Sequence, residues 1–298
     1  MTHTAVIITR NRPDELRRCV AHLAAQSCPP DTILIIDASD RTVAADALGV
    51  PPDMVRVVAA APGICSQRNM GLDLADTDIV SFFDDDVVLK PGYCAAMLDA
   101  FERDGERAIA GIAGVVREPR RIEGAELLVR RCFLLQTGRG CSRFRVSGIP
   151  DVGYDCIGPT EIPFAATTAV SYRRRSITDA RFDDAQLGGA VLGLPTGRVF
   201  GEDLLFSLQV AARGERILMI PTAQCTHRPS VHNREDVFVT QALYVRSLRV
   251  LSRRAARGAL QGIARRWALV GQLLLCVLQS LRHRNAGYVR GWWRAMTR

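Results

Sequence analysis

The sequence predicts an α/β fold, a mostly parallel sheet sandwiched by helices, with a helical C-terminal extension. Three observations lead there. Short apolar runs rich in β-branched residues recur through the first 120 residues, each too short for a helix and of the length of a buried strand. Segments with apolar residues at helical spacing separate them, the alternation expected of βαβ crossovers and a sheet covered on both faces. Beyond Asp236 the helical pattern runs to the end of the chain.

Taken in order, "TAVIIT" (4–9) is the first strand. "RPDELRRCVAHLAAQ" follows as a helix with Leu16, Val20 and Leu23 at helical spacing and Pro13 and Asp14 in its first turn. "TILIID" (32–37) and "MVRVVAA" (54–60) are the second and third strands. A helix over "GICSQRNMGLDLA" leads to the fourth, "DIVSFF" (78–83). "PGYCAAMLDAFER" (91–103) starts a helix with proline, and "AIAGIAGVV" (108–116) is the fifth strand. From 117 to 163 no periodicity supports an assignment. A strand over "FAATTAVSY" (164–172), a helix over "EDLLFSLQVAARG" (202–214) closed by Gly214, and a strand over "RILMIP" (216–221) complete the pattern. The expected organisation is a sheet domain over 1–236 and a basic helical tail over 237–298.

Charge separates these two parts. The 298 residues carry a formal +8, and the twelve arginines between Val237 and Arg298 stand among no Asp or Glu, so the first 236 residues carry −4. Lys90 is the only lysine, so the excess of Arg over Lys is a composition bias; the asymmetry between body and tail remains. A 48% hydrophobic, 23% charged chain is globular and not disordered. Four apolar residues precede Thr9 and Arg10, too few for a secretory signal. Nine cysteines without a C-x-x-C pair argue against a zinc module or a disulfide framework and fit a reducing cytoplasm.

The candidate site begins with "DIVSFFDDDVVLKPG". Asp84, Asp85 and Asp86 close a greasy strand and repel one another. In an open parallel sheet, ligands bind beyond the carboxyl ends of the strands. Asp37 ends the second strand and Thr9, Arg10 and Asn11 end the first, so three polar clusters converge on one edge. Either the triplet is a solvated turn, or it holds a cation. Mg²⁺ and Mn²⁺ take oxygen ligands, Mg²⁺ often one or two carboxylates plus substrate phosphates, and a metal-bound diphosphate would account for it. In "GEDLLF", Glu202 and Asp203 suit the N-terminus of a helix, where free N–H groups stabilise carboxylates; a carboxylate held beside a hydroxyl is equally a general base. His227, after "RILMIP", is either structural or a nitrogen ligand for the same metal. His232, five residues on, has no motif around it.

These residues resemble the family 2 glycosyltransferases, which have the GT-A fold. "TAVIITRNRPDELRRCVAHLAAQSCPPDTILIIDASD" and "GICSQRNMGLDLADTDIVSFFDDDVVLKPGY" are similar to the family's opening half, and "ARFDDAQLGGAVLGLPTGRVFGEDLLFSLQVAARGERILMIPTAQCTH" to its second, together covering 4 to about 228. The resemblance implies a single inverting displacement from a nucleoside-diphosphate sugar onto an acceptor hydroxyl. It implies that Thr9, Arg10 and Asn11 contact the nucleotide, that Asp37 faces its base or ribose, and that Arg68 of "SQRNMGL" lies near it. Asp84 and Asp86 match the outer positions of the D-x-D motif, with Asp86 the ligand of Mn²⁺ or Mg²⁺ and Asp85 between them. Asp203 matches the general base that follows Glu202, and His227 an additional metal ligand. Two features depart from the family pattern: Ala38 replaces the second Asp of D-D-x-S, and no Q-x-x-R-W follows Asp203 at the expected place, "QGIARRW" (261–267) coming late.

Trp267, Trp292 and Trp293 all lie in the last 32 residues, and "WALVGQLLLCVLQSL" is flanked by arginines. At ~1.5 Å per residue this run is shorter than the ~30 Å hydrocarbon core of a bilayer. It suits a helix lying on an anionic membrane surface through 259–298, or helices packed back on the domain. Twelve arginines would also suit nucleic acid, but the apolar centre and the lack of a binding motif set that partner aside. The leading expectation is a cytoplasmic transferase, peripheral on the inner face of the cell membrane, with a saccharide, lipid-linked or small-molecule acceptor. The competing readings are a non-catalytic nucleotide-sugar-binding or membrane-scaffolding protein and a sugar-phosphate nucleotidyltransferase. The latter lacks its glycine-rich phosphate loop in "TRNRPDEL".

Overall fold

The computed structural model describes residues 1–106, 108–117, 122–228, 236–255 and 258–298; His232 lies outside them. The first elements are β1 (His3–Thr9), α1 (Pro13–Ala24), β2 (Thr32–Asp37), β3 (Val55–Ala59), α2 (Ile64–Leu74) and β4 (Ile79–Asp84). They follow the apolar runs closely because β1, β2 and β4 are buried on both faces, while β3 lies partly exposed at the sheet edge. A short β5 (Val87–Leu89), α3 (Tyr93–Glu102) and β6 (Ile109–Arg117) come next. Then come α4 (Gly124–Cys132), β7 (Cys141–Phe144), β8 (Pro150–Tyr154), β9 (Thr160–Ile162) and β10 (Ala169–Arg173). The chain ends with α5 (Glu202–Ala211), β11 (Arg216–His227), α6 (Val237–Ala255), α7 (Ala259–His283) and α8 (Gly287–Thr297).

These form two compact units. The first comprises Met1–Pro119, Tyr154–Phe182 and Phe206–Asn233, the second Arg120–Gly153, Asp183–Leu205 and Arg234–Arg298. The first unit holds a nine-stranded sheet in the order β3-β2-β1-β4-β10-β6-β11-β5, with β9 paired to β11. β3, β2, β1 and β4 are parallel, as are β6 and β11. β10 runs antiparallel between β4 and β6. The chain leaving β1 crosses to β2 on one side, and the chain leaving β4 goes on to β5 and β6 on the other, so the two connections diverge between β1 and β4. The carboxyl ends of these two strands therefore open a crevice at the strand switch, where such sheets bind ligands.

The register sets the edge of that crevice: Thr9 pairs with Asp37, and Ile8 with Asp84. The two-residue period of β4 sends Phe83 to one core, edge-on to Tyr93 at 5.6 Å, and Phe82 to the other, edge-on to Phe182 and Phe206. Gly71 lets α2 lie directly on β1, since a Cβ there would strike Val6.

Three sequence expectations differ in detail. The strand expected over 164–172 is formed only from Ala169, and β5 is a three-residue apolar run directly after the triplet, too short to stand out as a strand. β11 is longer than expected, because register shifts against β6 between Ile220 and Gln224 let it continue past Pro221 to His227. Within 117–163 the structure places α4, the β7–β8 hairpin and β9. Seven cysteines are free, most of them buried.

In the second unit, the carboxylate of Asp151, a residue of β8, is fully buried. It accepts hydrogen bonds from the N–H of Thr137 (2.7 Å) and Gly138 (2.8 Å) and from the Thr137 hydroxyl (2.8 Å). Helices α6 and α8 approach closely because Gly287 and Gly291 present no side chain to the backbone of α6. The Phe133 ring stacks on Trp267 of α7 with centroids 4.6 Å apart. No described helix is long and apolar enough to cross a membrane.

Candidate active site

The end of β4 is built so that three adjacent carboxylates each meet a different partner. Asp85 is buried and accepts hydrogen bonds from the Thr9 hydroxyl at 2.8 Å and from Arg12 Nη1 at 3.0 Å. The same Arg12 nitrogen lies 3.6 Å from Asp86 Oδ2. Asp84 Oδ1 lies 3.6 Å from Arg68 Nη2, which α2 brings over the strand end one turn before Gly71. Asp86 Oδ1 is 3.1 Å from His227 Nε2. The backbone holds this last pair: the Arg228 N–H bonds the Asp86 carbonyl at 2.9 Å, and His227 is paired with Val87. Without the extension of β11 the imidazole would not reach the triplet.

The electrostatics follow from this crowding. Burial pushes the Asp85 carboxyl up to about 6, against the pull of Arg12 and the Thr9 hydroxyl and with the help of Asp86. Two arginines and an imidazole thus surround three acids. The side-chain donor atoms of Asp84, Asp86 and His227 all lie within 4.8 Å of one another. Two carboxylate oxygens and one imidazole nitrogen form a donor set that suits a divalent cation of intermediate hardness. The residues present fit such an ion.

The other expected residues lie as follows. Arg10 is exposed. Asn11 adopts a left-handed backbone (φ 55°) and exchanges hydrogen bonds with Asp40 at 3.0 Å each way, joining the loops after β1 and β2. Asp37 is buried, and its two oxygens accept the N–H groups of Ser39 and Val43 at 2.8 Å. Its carboxylate shapes the loop over 38–43. In the second unit, Glu202 and Asp203 occupy the first turn of α5, directly after Gly201, whose φ of 86° makes the tight entry. Glu202 is buried, and Asp203 Oδ1 accepts the N–H of Leu204 at 2.8 Å.

Two residues escaped the sequence reading. Arg12 bridges Asp85 and Asp86; its only signal was a basic residue three positions beyond Thr9. Gln67 is buried and donates to the carbonyls of Thr9 (3.2 Å) and Ile36 (2.9 Å), fastening the ends of β1 and β2 together. A glutamine at a core-facing position of α2 was the signal for it.

Comparison with known proteins bears on this arrangement. The sequence model described as "Glycosyl transferase family 2" matches residues 4–179, more than half of the chain. The chain belongs to glycosyl transferase family 2. No curated protein sequence matches it. Among solved structures, this family 2 chain is similar to that of GalNAc-T7 with UDP, GalNAc and Mn²⁺ (TM-score 0.57, 16% identity). That likeness covers 84% of this chain and 48% of the other, so this chain spans about half of its length. It is also similar to the mannosyltransferase PcManGT from Pyrobaculum calidifontis in complex with GDP-Man and Mn²⁺ (TM-score 0.56, 13% identity), over 99% of this chain and 86% of that one. At these identities the likeness is one of fold, and the fold is the GT-A α/β architecture expected from the sequence.

Proposed function

We propose that this chain is an inverting glycosyltransferase that moves a sugar from a nucleoside-diphosphate sugar to an acceptor hydroxyl with Mn²⁺ or Mg²⁺ bound. The observation that carries this is the convergence of Asp84, Asp86 and His227 at the carboxyl end of β4, beside the strand switch. Asp86 and His227, with Asp84 alongside, would hold the ion, which supplies positive charge opposite the charge that grows on the departing diphosphate. That two transferases of similar fold were solved with a nucleotide or nucleotide sugar and Mn²⁺ supports the choice of ion.

The remaining roles belong to the chain's own side chains. Arg68 and the Thr9–Arg10–Asn11 turn bind the nucleotide, and Asp37 shapes the neighbouring loop that receives it. Asp85 fixes Arg12 and Thr9, so that the triplet keeps its shape. Asp203 takes the proton of the attacking hydroxyl, and Glu202 orients the substrate from the same turn. The acceptor is a saccharide, a lipid-linked saccharide or a small molecule. The reaction runs at the cytoplasmic face of an anionic membrane, met through 259–298, and nucleic acid is not a partner.

A protein that only binds a nucleotide sugar would keep the metal site and lose turnover. The experiment is calorimetric titration of a panel of nucleoside diphosphates, with and without Mn²⁺, into wild type and Asp86→Ala. Metal-dependent binding that the variant loses supports the proposal and names the nucleotide. No binding of any diphosphate would sink it. Metal-dependent binding with neither transfer to any acceptor nor hydrolysis of the nucleotide sugar would favour the non-catalytic reading instead.

A further inference from the structure

Helix α7 buries one face and leaves the opposite one bare. Ala268, Leu269, Gln272, Leu275 and Cys276 are buried within the second unit. Leu260, Ile263, Val270, Leu274, Leu278 and Leu281 are all exposed, from 38% for Leu274 to 81% for Leu260. At ~3.6 residues per turn these six lie within roughly a third of the circumference, so they form one continuous stripe along the helix. Trp267, 49% exposed, belongs to the same stripe, while its Nε1 donates to the Cys132 carbonyl at 2.9 Å. Isolated exposed apolar residues need no explanation, but a contiguous stripe from Leu260 to Leu281 along a 25-residue helix does.

We infer that this stripe is a membrane-docking face, on which α7 lies flat in the interface of an anionic bilayer. Charge selects this occupant. Arg266 and Arg282 are exposed beside the stripe, and Arg253, Arg254 and Arg284 are exposed at its two ends. No acidic residue occurs between Val237 and Arg298. Two copies packed stripe to stripe would bring arginines together with no acid from this segment to pair with them. Phosphate-rich headgroups offset those charges while the acyl boundary takes the leucines. Exposed Trp293 of α8 adds an aromatic ring of the kind that prefers the headgroup level. A helix of this length is not apolar enough to span, so it docks without crossing. This deepens the membrane-proximal reading proposed above and needs none of the transfer chemistry.

The test is co-sedimentation of the full chain with phosphatidylcholine vesicles, pure or containing about one-third phosphatidylglycerol. Wild type is expected to bind the anionic vesicles and to release as salt rises. The double substitution Ile263→Asp, Val270→Asp should weaken binding by at least about tenfold with the melting temperature unchanged. Should that variant fold poorly, Leu260→Ser with Leu281→Ser, both at strongly exposed positions, is expected to weaken binding in the same direction. Asp86→Ala should bind vesicles like wild type, which keeps this outcome separate from that of the transferase proposal. Absence of wild-type binding, equal binding by the stripe variants, or a dimer in light scattering that the stripe variants convert to monomer would each overturn the inference.

Discussion

His227 Nε2 stands 3.1 Å from Asp86 Oδ1, although 141 positions of chain separate them. Two local devices produce this contact: the tight turn at the end of β4, and the shifted register that carries β11 past Pro221. Either residue alone has a bland structural reading. Together with Asp84 they converge as ligands do. His227→Ala should therefore weaken Mn²⁺ binding by at least about tenfold, since even the loss of an outer partner to a ligand costs that much. Titration of Mn²⁺ followed by electron paramagnetic resonance reads this directly, and unchanged affinity would remove His227 from the site.

Arg12 carries a second expectation. It neutralises two neighbouring buried carboxylates, Asp85 and Asp86, and its side chain is itself only 19% exposed. Arg12→Ala leaves that negative charge uncompensated, at a cost of about 1–2 kcal/mol once partial solvent screening is allowed for. A bound divalent cation would restore the balance, so saturating Mn²⁺ should raise the melting temperature of the variant more than that of wild type. Equal melting temperatures without metal would show that Arg12 does not brace the triplet.

Asp203 tests the chemistry apart from the binding. Asp203→Asn keeps a group of the same shape that can still accept the Leu204 N–H, so α5 should start as before. It removes the basic oxygen. Binding of the nucleotide sugar should persist while transfer falls ~10²–10⁴-fold. Loss of both together, or full activity, would take the base role from Asp203.

Most of the sheet could be read from the sequence because buried parallel strands are continuous apolar runs, and "TAVIIT", "TILIID" and "DIVSFF" are such runs. Their polar ends, Thr9, Asp37 and the aspartates, showed the edge where a ligand would lie. What sequence could not show was set by tertiary partners. The two loop N–H groups that Asp37 accepts, from Ser39 and Val43, have no signature in the sequence. Nothing in the sequence set Arg12 apart, and it is the fold that puts Asp85 within its reach. The segment from 117 to 163 stayed opaque for a related reason: Asp151 ties the turn at Thr137 and Gly138 to the hairpin through hydrogen bonds that no periodicity reveals. In α7 the apolar residues themselves were plain, but which of them are bare is a property of packing alone.

The last prediction concerns stability. His3 is 1% exposed, with Nε2 2.7 Å from the Ser81 hydroxyl, which in turn meets that of Ser171 at 2.6 Å. Burial pushes its pKa down from 6.5 to about 4, with Asp31 opposing. The folded chain thus keeps this imidazole neutral where the unfolded chain protonates it. Between pH 6.5 and about 4 the unfolded state binds the extra proton, so the contribution of His3 is intact above 6.5 and is lost as the pH falls to about 4. Each pKa unit is worth about 1.4 kcal/mol, so the loss by pH 4.5 should be about 2–3 kcal/mol. Carboxylates also begin to take up protons as the pH falls, so the comparison must be between wild type and His3→Gln. Urea unfolding at pH 7 and 4.5 should show a smaller acid loss in the variant, and equal losses would mean that the buried imidazole is not what acid attacks first.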